Sequence, residues 1–208
     1  MELEAKKKLR QHARADRELQ RNSERKLFQW LHLLTAQEML NAVTIATYIS
    51  YGDEPNTSAL NSQLLAQQKK LILPRMRQDK SLEWVPWNGT AENLKSQGNI
   101  KEPIGNSLAE NQLATIDAVI VPALLVDRRG FRLGQGGGSY DRALKELSIF
   151  SPHVWSVALV YDGEVTSSNL PNEAHDVPLN AVATPELVID RKSTRLNSSH
   201  TDISRMPS

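Results

Sequence analysis

Four of the chain's ten glycines fall within one fourteen-residue stretch, FRLGQGGGSYDRAL, from Phe131 to Leu144. Glycine is costly to order, so such a cluster belongs to a tight turn or to backbone that must lie close against something. A strand-like run precedes it and a helix-like run follows. At a helix start the first N–H groups lack partners, and the aligned peptide dipoles favour an anion. Glycines let a phosphate approach those donors, and Arg128, Arg129 and Arg132 stand just upstream as charge-assisted partners. Asp141, at the helix start, can cap the helix or hold a Mg²⁺ that bridges phosphate oxygens. The stretch is not a Walker A loop, which ends in Gly-Lys-Ser/Thr. Nor is it a G-x-G-x-x-G fingerprint, because counting from Gly134 the last place is Ser139. From these residues alone a structural turn and a phosphate loop are evenly matched.

Composition narrows the alternatives. The 208 residues suffice for a real core, and 25 basic against 24 acidic residues leave a net charge of +1, so no global field argues for nucleic acid. Cysteine is absent, which excludes disulfides, thiolate metal sites and cysteine nucleophiles. The first residues, MELEAKKKLRQHARADREL, are charged throughout and no apolar run approaches a membrane span, so the expectation is a cytoplasmic protein without a membrane partner.

The elements that must position the glycine stretch read as follows. Residues 2–21 are good helix formers with a thin apolar stripe, Leu3, Leu9, Ala13 and Leu19. A second helix capped by Ser23 carries Leu27, Leu31 and Leu34 at helical spacing, with Trp30 beside them. Residues 42–50, AVTIATYIS, form a strand buried on both faces, and Gly52, Asp53 and Pro55 mark a turn. A helix capped by Thr57 leads to the strand KLILP, stopped by Pro74, which makes a βαβ unit with parallel strands. Residues 77–115 read as loops around one edge strand, LEWVPW. DAVIVPALLVD, residues 117–127, is the clearest buried strand, interrupted at Pro122. After the glycines come a helix from about Tyr140 to Leu147, a strand at 154–161 and a short strand at ELVID. Residues 191–208, rich in Ser, Thr and Arg, read as a non-native or disordered tail and 1–190 as one domain.

At the level of whole segments, VPALLVDRRGFRLGQGGGSYDRAL closely resembles the signature of the 5-formyltetrahydrofolate cyclo-ligase family. YISYGDEPNT, KLILPRM, KEP and HDVPLNAVAT resemble further family segments in the family's order, over residues 3–190. The resemblance implies a single-domain, three-layer α/β fold whose mostly parallel, Rossmann-like sheet is flanked by helices. It also implies an activity: ATP- and Mg²⁺-dependent conversion of 5-formyltetrahydrofolate to 5,10-methenyltetrahydrofolate by a monomer. By it, Arg132, Leu133, Gly134, Gln135, Gly136, Gly137, Gly138, Ser139 and Tyr140 form the ATP phosphate loop, with Arg132 and Asp141 catalytic. Asp141 and Asp176 match metal ligands, and Lys6 and Arg10 match basic positions that meet ATP; as i, i+4 neighbours they share a helix face. Arg75, after a strand, is a further phosphate contact. Ile49 and Glu54 match positions that hold the folate: a carboxylate pairs with pterin N–H donors and an aliphatic side chain lies on the ring. His175 reads as structural, whereas Trp84 and Trp87 suit either pterin cover or edge-strand packing. Two residues depart from the family pattern, Ser139 where an aromatic is usual and Asn180 where Asp is usual. Competing readings are a same-fold ATP-dependent paralogue acting on another substrate and a nucleic-acid-binding module using the basic first helix.

Overall fold

In the computed structural model, which describes residues 2–19, 29–173 and 176–191, the most apolar runs of the chain stand side by side in one seven-stranded sheet. In chain order the elements are α1 (Glu2–Leu19), α2 (Gln37–Asn41), β1 (Thr44–Ala46), α3 (Ser58–Ala66), β2 (Lys70–Met76), β3 (Leu82–Trp87), β4 (Leu94–Gln97) and β5 (Ile100–Pro103). Then follow α4 (Glu110–Leu113), β6 (Ala118–Pro122), β7 (Leu125–Asp127), β8 (Arg132–Leu133), α5 (Ser139–Phe150), β9 (Trp155–Leu159), β10 (Val165–Thr166), β11 (Ala181–Ala183) and β12 (Val188–Asp190). The sheet order is β12-β11-β9-β6-β1-β2-β3, parallel through its five central strands with one antiparallel strand at each edge. Among the described residues no helix is long and apolar enough to cross a membrane.

Strand alternation builds the three expected layers. In β6, Ala118 and Ile120 pack on one face with Leu60 and Leu64 of α3, while Val119 and Val121 pack on the other with Ala143, Leu144 and Leu147 of α5. Burial on both faces is why the run is continuously apolar. From β1 the chain steps to β2 on one side, yet β6 pairs on the other. The winding therefore reverses between β1 and β6, and the crevice beyond their carboxyl ends is where doubly wound sheets bind ligands.

Several expectations give way to local chemistry. The strand expected over 42–50 is only Thr44–Ala46. Asn61 and Thr57 draw the chain off the sheet: Asn61 Nδ2 and Thr57 Oγ1 donate to the Tyr48 carbonyl at 3.1 and 2.7 Å, and Thr47 Oγ1 donates to Asn61 Oδ1 at 2.8 Å. This aims Tyr48–Ser50 towards the crevice. Pro74 does not stop β2, which runs on to Met76. Thr47 N–H donates to the Ile72 carbonyl, so residue 74 faces the same side by alternation, where β1 has already ended and no N–H is required. At Pro122 the expected interruption does occur: β6 ends there, and β7 joins a separate small sheet, β10-β7-β8.

Of the second expected helix, Ser23 and Leu27 lie outside the described residues, and Leu31 is 36% exposed. Here Trp30 takes a left-handed φ of 48° ahead of a 3-10 turn, Leu31–Thr35. Its indole is buried, donates towards the Val160 and Ala183 carbonyls at 3.3 and 3.2 Å, and meets Tyr161 edge-on at 5.4 Å. That anchor overrides the leucine period. Residues 77–115, read as loops around one strand, also hold the hairpin β4–β5 and the short α4. The hairpin turns through Gly98–Asn99, with Gly98 at φ 62°.

Because Asn61 is buried and replaces a missing strand partner, Asn61→Ala should destabilise the protein by about 1–3 kcal/mol in urea unfolding, leaving the Tyr48 carbonyl short of a donor. A variant as stable as wild type would show that the bend after β1 is held otherwise.

Candidate active site

The glycine stretch leaves β8, which pairs with β7, and enters α5. Gly136 has φ 106°, and Gly138, the residue preceding α5, has φ 66°, conformations that side chains rarely adopt. Among the described residues no side chain caps α5, and its first residues, Ser139 to Asp141, line the crevice.

Across the loop lies α1, and its charged face is turned inward rather than to solvent. Lys6 is buried whereas Lys7 and Lys8 are exposed. Lys6 Nζ donates to Glu173 Oε1 and Asp176 Oδ2, both at 3.1 Å. Arg10 Nε donates to the Gly134 carbonyl at 3.0 Å, and Arg14 Nη2 to the Gln135 carbonyl at 2.9 Å. From the floor of the loop, Arg132 Nη2 donates to Asp141 Oδ1 at 2.6 Å, beside the Tyr140 ring. Its Nε–H is buried and has no hydrogen-bond partner among the described residues. A buried cation with a spare donor is a ready partner for a further acceptor.

At the other end stands Glu54, 8% exposed. Its Oε2 accepts the Tyr51 N–H at 3.2 Å. Burial pushes its carboxyl up to about 7, against the opposing pull of the Tyr51 N–H and the Arg17 charge. Both ends belong to one cavity of about 470 Å³. Lys6, Arg10, Ile49, Glu54, Asp141, Asp176 and the whole stretch from Arg132 to Tyr140 line it, so the structure brings together every predicted site residue except Arg75.

Arg75 lies within β2, where Nε donates to Glu83 Oε1 at 2.6 Å and Nη1 donates to the carbonyls of Pro103 and Gly105 at 3.2 and 2.9 Å. It fastens the end of the β4–β5 hairpin and does not line the cavity. Arg129 pairs with Asp127 and also stands outside, as does Arg128. Trp84 is a core residue and Trp87 donates to the Thr90 carbonyl, so packing claims both. His175 lies outside the described residues. Ser139 is buried at the start of α5. Asn180 accepts the N–H and hydroxyl of Ser156 at 2.9 Å, away from the cavity.

Sequence reasoning missed Arg17 and the hairpin residues Gln97, Ile100, Lys101 and Glu102, all of which line the cavity. The Gly98–Asn99 pair was a legible hairpin signal. Arg17 repeats the helical stripe of Lys6, Arg10 and Ala13. Among the described residues no group of three or more His, Asp or Glu side chains is placed to hold a metal ion.

A doubly wound α/β sheet with a cation-rich, glycine-walled cleft at its switch point defines the class of open α/β proteins that take ligands at the carboxyl ends of their strands. Residues 2–185 match the 5-formyltetrahydrofolate cyclo-ligase family, and the chain belongs to that family. The 5-formyltetrahydrofolate cyclo-ligase of Mycolicibacterium smegmatis is 34% identical over 149 residues, 69% of this chain and 74% of that protein. That of Escherichia coli K12 is 30% identical over 158 residues, 75% and 85% of the two chains. The solved structure of Aquifex aeolicus 5,10-methenyltetrahydrofolate synthetase superposes with a TM-score of 0.71 at 25% identity, covering 98% of this chain and 96% of that one.

Glu54 carries a stability signature. Its carboxyl lies near 7 in the fold against an ordinary 4.5, so the folded state holds the extra proton between those values. Stability from this group is therefore full below about 4.5 and is lost as pH rises through about 7. Glu54→Gln should raise thermal stability relative to wild type at pH 8, by up to about 3 kcal/mol, and bring little change at pH 4.5. An equal effect at both pH values would reject the buried ionisation.

Proposed function

We propose that this cleft converts 5-formyltetrahydrofolate to 5,10-methenyltetrahydrofolate with ATP, the phosphates on the glycine stretch and the pterin at Glu54. The observation that carries the reading is that the residues matched to the two substrates meet at two ends of a single cavity. A formamide oxygen is a poor leaving group. Transferring the γ-phosphoryl group of ATP to it releases ADP and makes the formyl carbon electrophilic. N10 then attacks that carbon, the ring closes, phosphate leaves and N10 loses its proton. Such chemistry asks mainly for positioning and charge neutralisation.

The chain's own residues meet that demand. Backbone N–H groups of the glycine stretch and the start of α5 cradle the phosphates. Arg132, with its spare buried N–H, meets the transferring group, and Lys6 and Arg10 approach from α1. At the pterin end the Glu54 carboxylate accepts ring and amino N–H, while Ile49 lies on the ring. Asp141 and Asp176 are the carboxylates that would hold Mg²⁺, which neutralises phosphate charge when bound. Two carboxylates would suit this ion, which is commonly held by one or two of them. The net charge of +1 is nearly balanced, which supports a reading without a nucleic-acid partner.

The reading is tested by incubating the protein with 5-formyltetrahydrofolate, ATP and Mg²⁺ and following the near-UV absorbance of the methenyl product. No ATP-dependent signal from folded protein would sink it. Asp141→Asn, which keeps an acceptor for Arg132, should lower kcat on the order of 10²–10³-fold with little change in melting temperature. Wild-type turnover in that variant would remove Asp141 from the mechanism. Glu54→Gln should raise the folate KM far more than the ATP KM, and an unchanged folate KM would reject the pterin contact.

A further inference from the structure

Arg17 lines the cavity but has no part in the phosphate end. It sits eleven residues after Lys6 on α1, roughly 16 Å along the helix axis at about 1.5 Å per residue. It is 4% exposed. Nε and Nη2 donate to the two oxygens of Glu164, each at 2.7 Å, and Nη2 also donates at 2.6 Å to the Ala123 carbonyl, at the break between β6 and β7. Glu164 in turn accepts the Tyr161 N–H at 2.8 Å. The guanidinium lies over the Tyr161 ring, 5.5 Å from its centroid, and the Tyr161 hydroxyl donates to the Glu54 carbonyl oxygen at 3.3 Å.

The surroundings of Glu54 come from four elements. Tyr48 and Tyr51 face it from its own loop, Tyr140 from α5, Tyr161 from the turn after β9 and Arg17 from α1. Arg14, also on α1, acts on Tyr51. Burial holds Tyr48, Tyr51 and Tyr140 above the ordinary tyrosine value, so they stay uncharged at physiological pH, and it is the Arg17 charge that opposes the burial of Glu54.

We propose that Arg17 is a positioning residue for the pterin end of the reaction: pinned by Glu164 and seated on Tyr161, it ties the helix that meets ATP to the loop that presents Glu54, and faces that carboxylate with a positive charge. The inference rests on Glu54 as the pterin contact. It makes α1 a single rigid element with Lys6 and Arg10 at the phosphate end and Arg17 at the folate end.

Charge and packing roles separate by direction. Without the Arg17 charge, Glu54 takes up its proton more readily; without the Glu164 charge, Arg17 acts uncompensated and Glu54 gives it up more readily. A purely structural link would make both variants shift Glu54 the same way. The experiment is a ¹³C NMR titration of glutamate-labelled protein, the Glu54 signal being identified by its loss in Glu54→Gln. Arg17→Met should move the Glu54 midpoint up by about one unit, at the low end of a neighbouring charge's effect. Glu164→Gln should move it down, and Arg17→Lys should leave it near wild type. In steady-state assays Arg17→Met should raise the folate KM several-fold at pH 7 but not at pH 9, with a smaller change for ATP. If Arg17→Met fails to fold, Glu164→Gln carries the test, and an upward or absent shift overturns the coupling. Midpoints that move as stated while the folate KM ignores pH would instead overturn the assignment of Glu54 to the pterin, and the positioning role with it.

Discussion

Buried cations must be paired, and this requirement organises the crevice. A buried charge stripped of its partner costs several kcal/mol, so each cation here has an acceptor built from elsewhere in the chain. Arg132 holds Asp141, Lys6 holds Glu173 and Asp176, and Arg17 holds Glu164. Arg10 and Arg14 use backbone carbonyls of the glycine stretch instead. The pairs are also joints. Those made by Lys6, Arg10, Arg14 and Arg17 fasten α1, whose sequence carries little apolar surface, against the crevice, so this wall of the site follows from electrostatics more than from burial. Asp141 and Asp176, the carboxylates read as metal ligands, are themselves two of these partners.

What could be read from the sequence follows from how local the determining forces are. β6 was legible because a strand buried on both faces needs an unbroken apolar run, and its end at Pro122 because proline cannot donate to a ladder. The glycine stretch announced itself by backbone freedom. Glu54, Lys6, Arg10 and Asp176 were legible as site residues only through resemblance, since a turn carboxylate or a charged helix face has the same local sequence when solvent-exposed. Long-range partners defeated the rest. Trp30 is fixed by carbonyls at residues 160 and 183, which no local window contains. Arg75 looked like a ligand of the crevice because it follows an apolar run, but Glu83 and two carbonyls beyond residue 100 claim it. Arg17 was invisible because its carboxylate lies 147 positions away.

The failure of both phosphate-loop motifs has a structural reason. In the Rossmann pattern the glycine turn follows a central strand directly, and its glycines fit a strand–turn–helix with the pyrophosphate at the helix start. Here the central strand β6 ends at Pro122, and the small sheet of β7, β8 and β10 stands between it and the glycines. The turn is launched from β8, is bonded by Arg10 and Arg14 of α1, and needs glycine where its backbone takes positive φ. Gly136 has φ 106°, which side chains rarely adopt, and Gly138 carries the left-handed turn into the helix. The glycines thus record two positive-φ positions in a turn whose carbonyls at Gly134 and Gln135 are bonded by a helix from the start of the chain. A motif written for strand, turn and helix alone has no place for that partner.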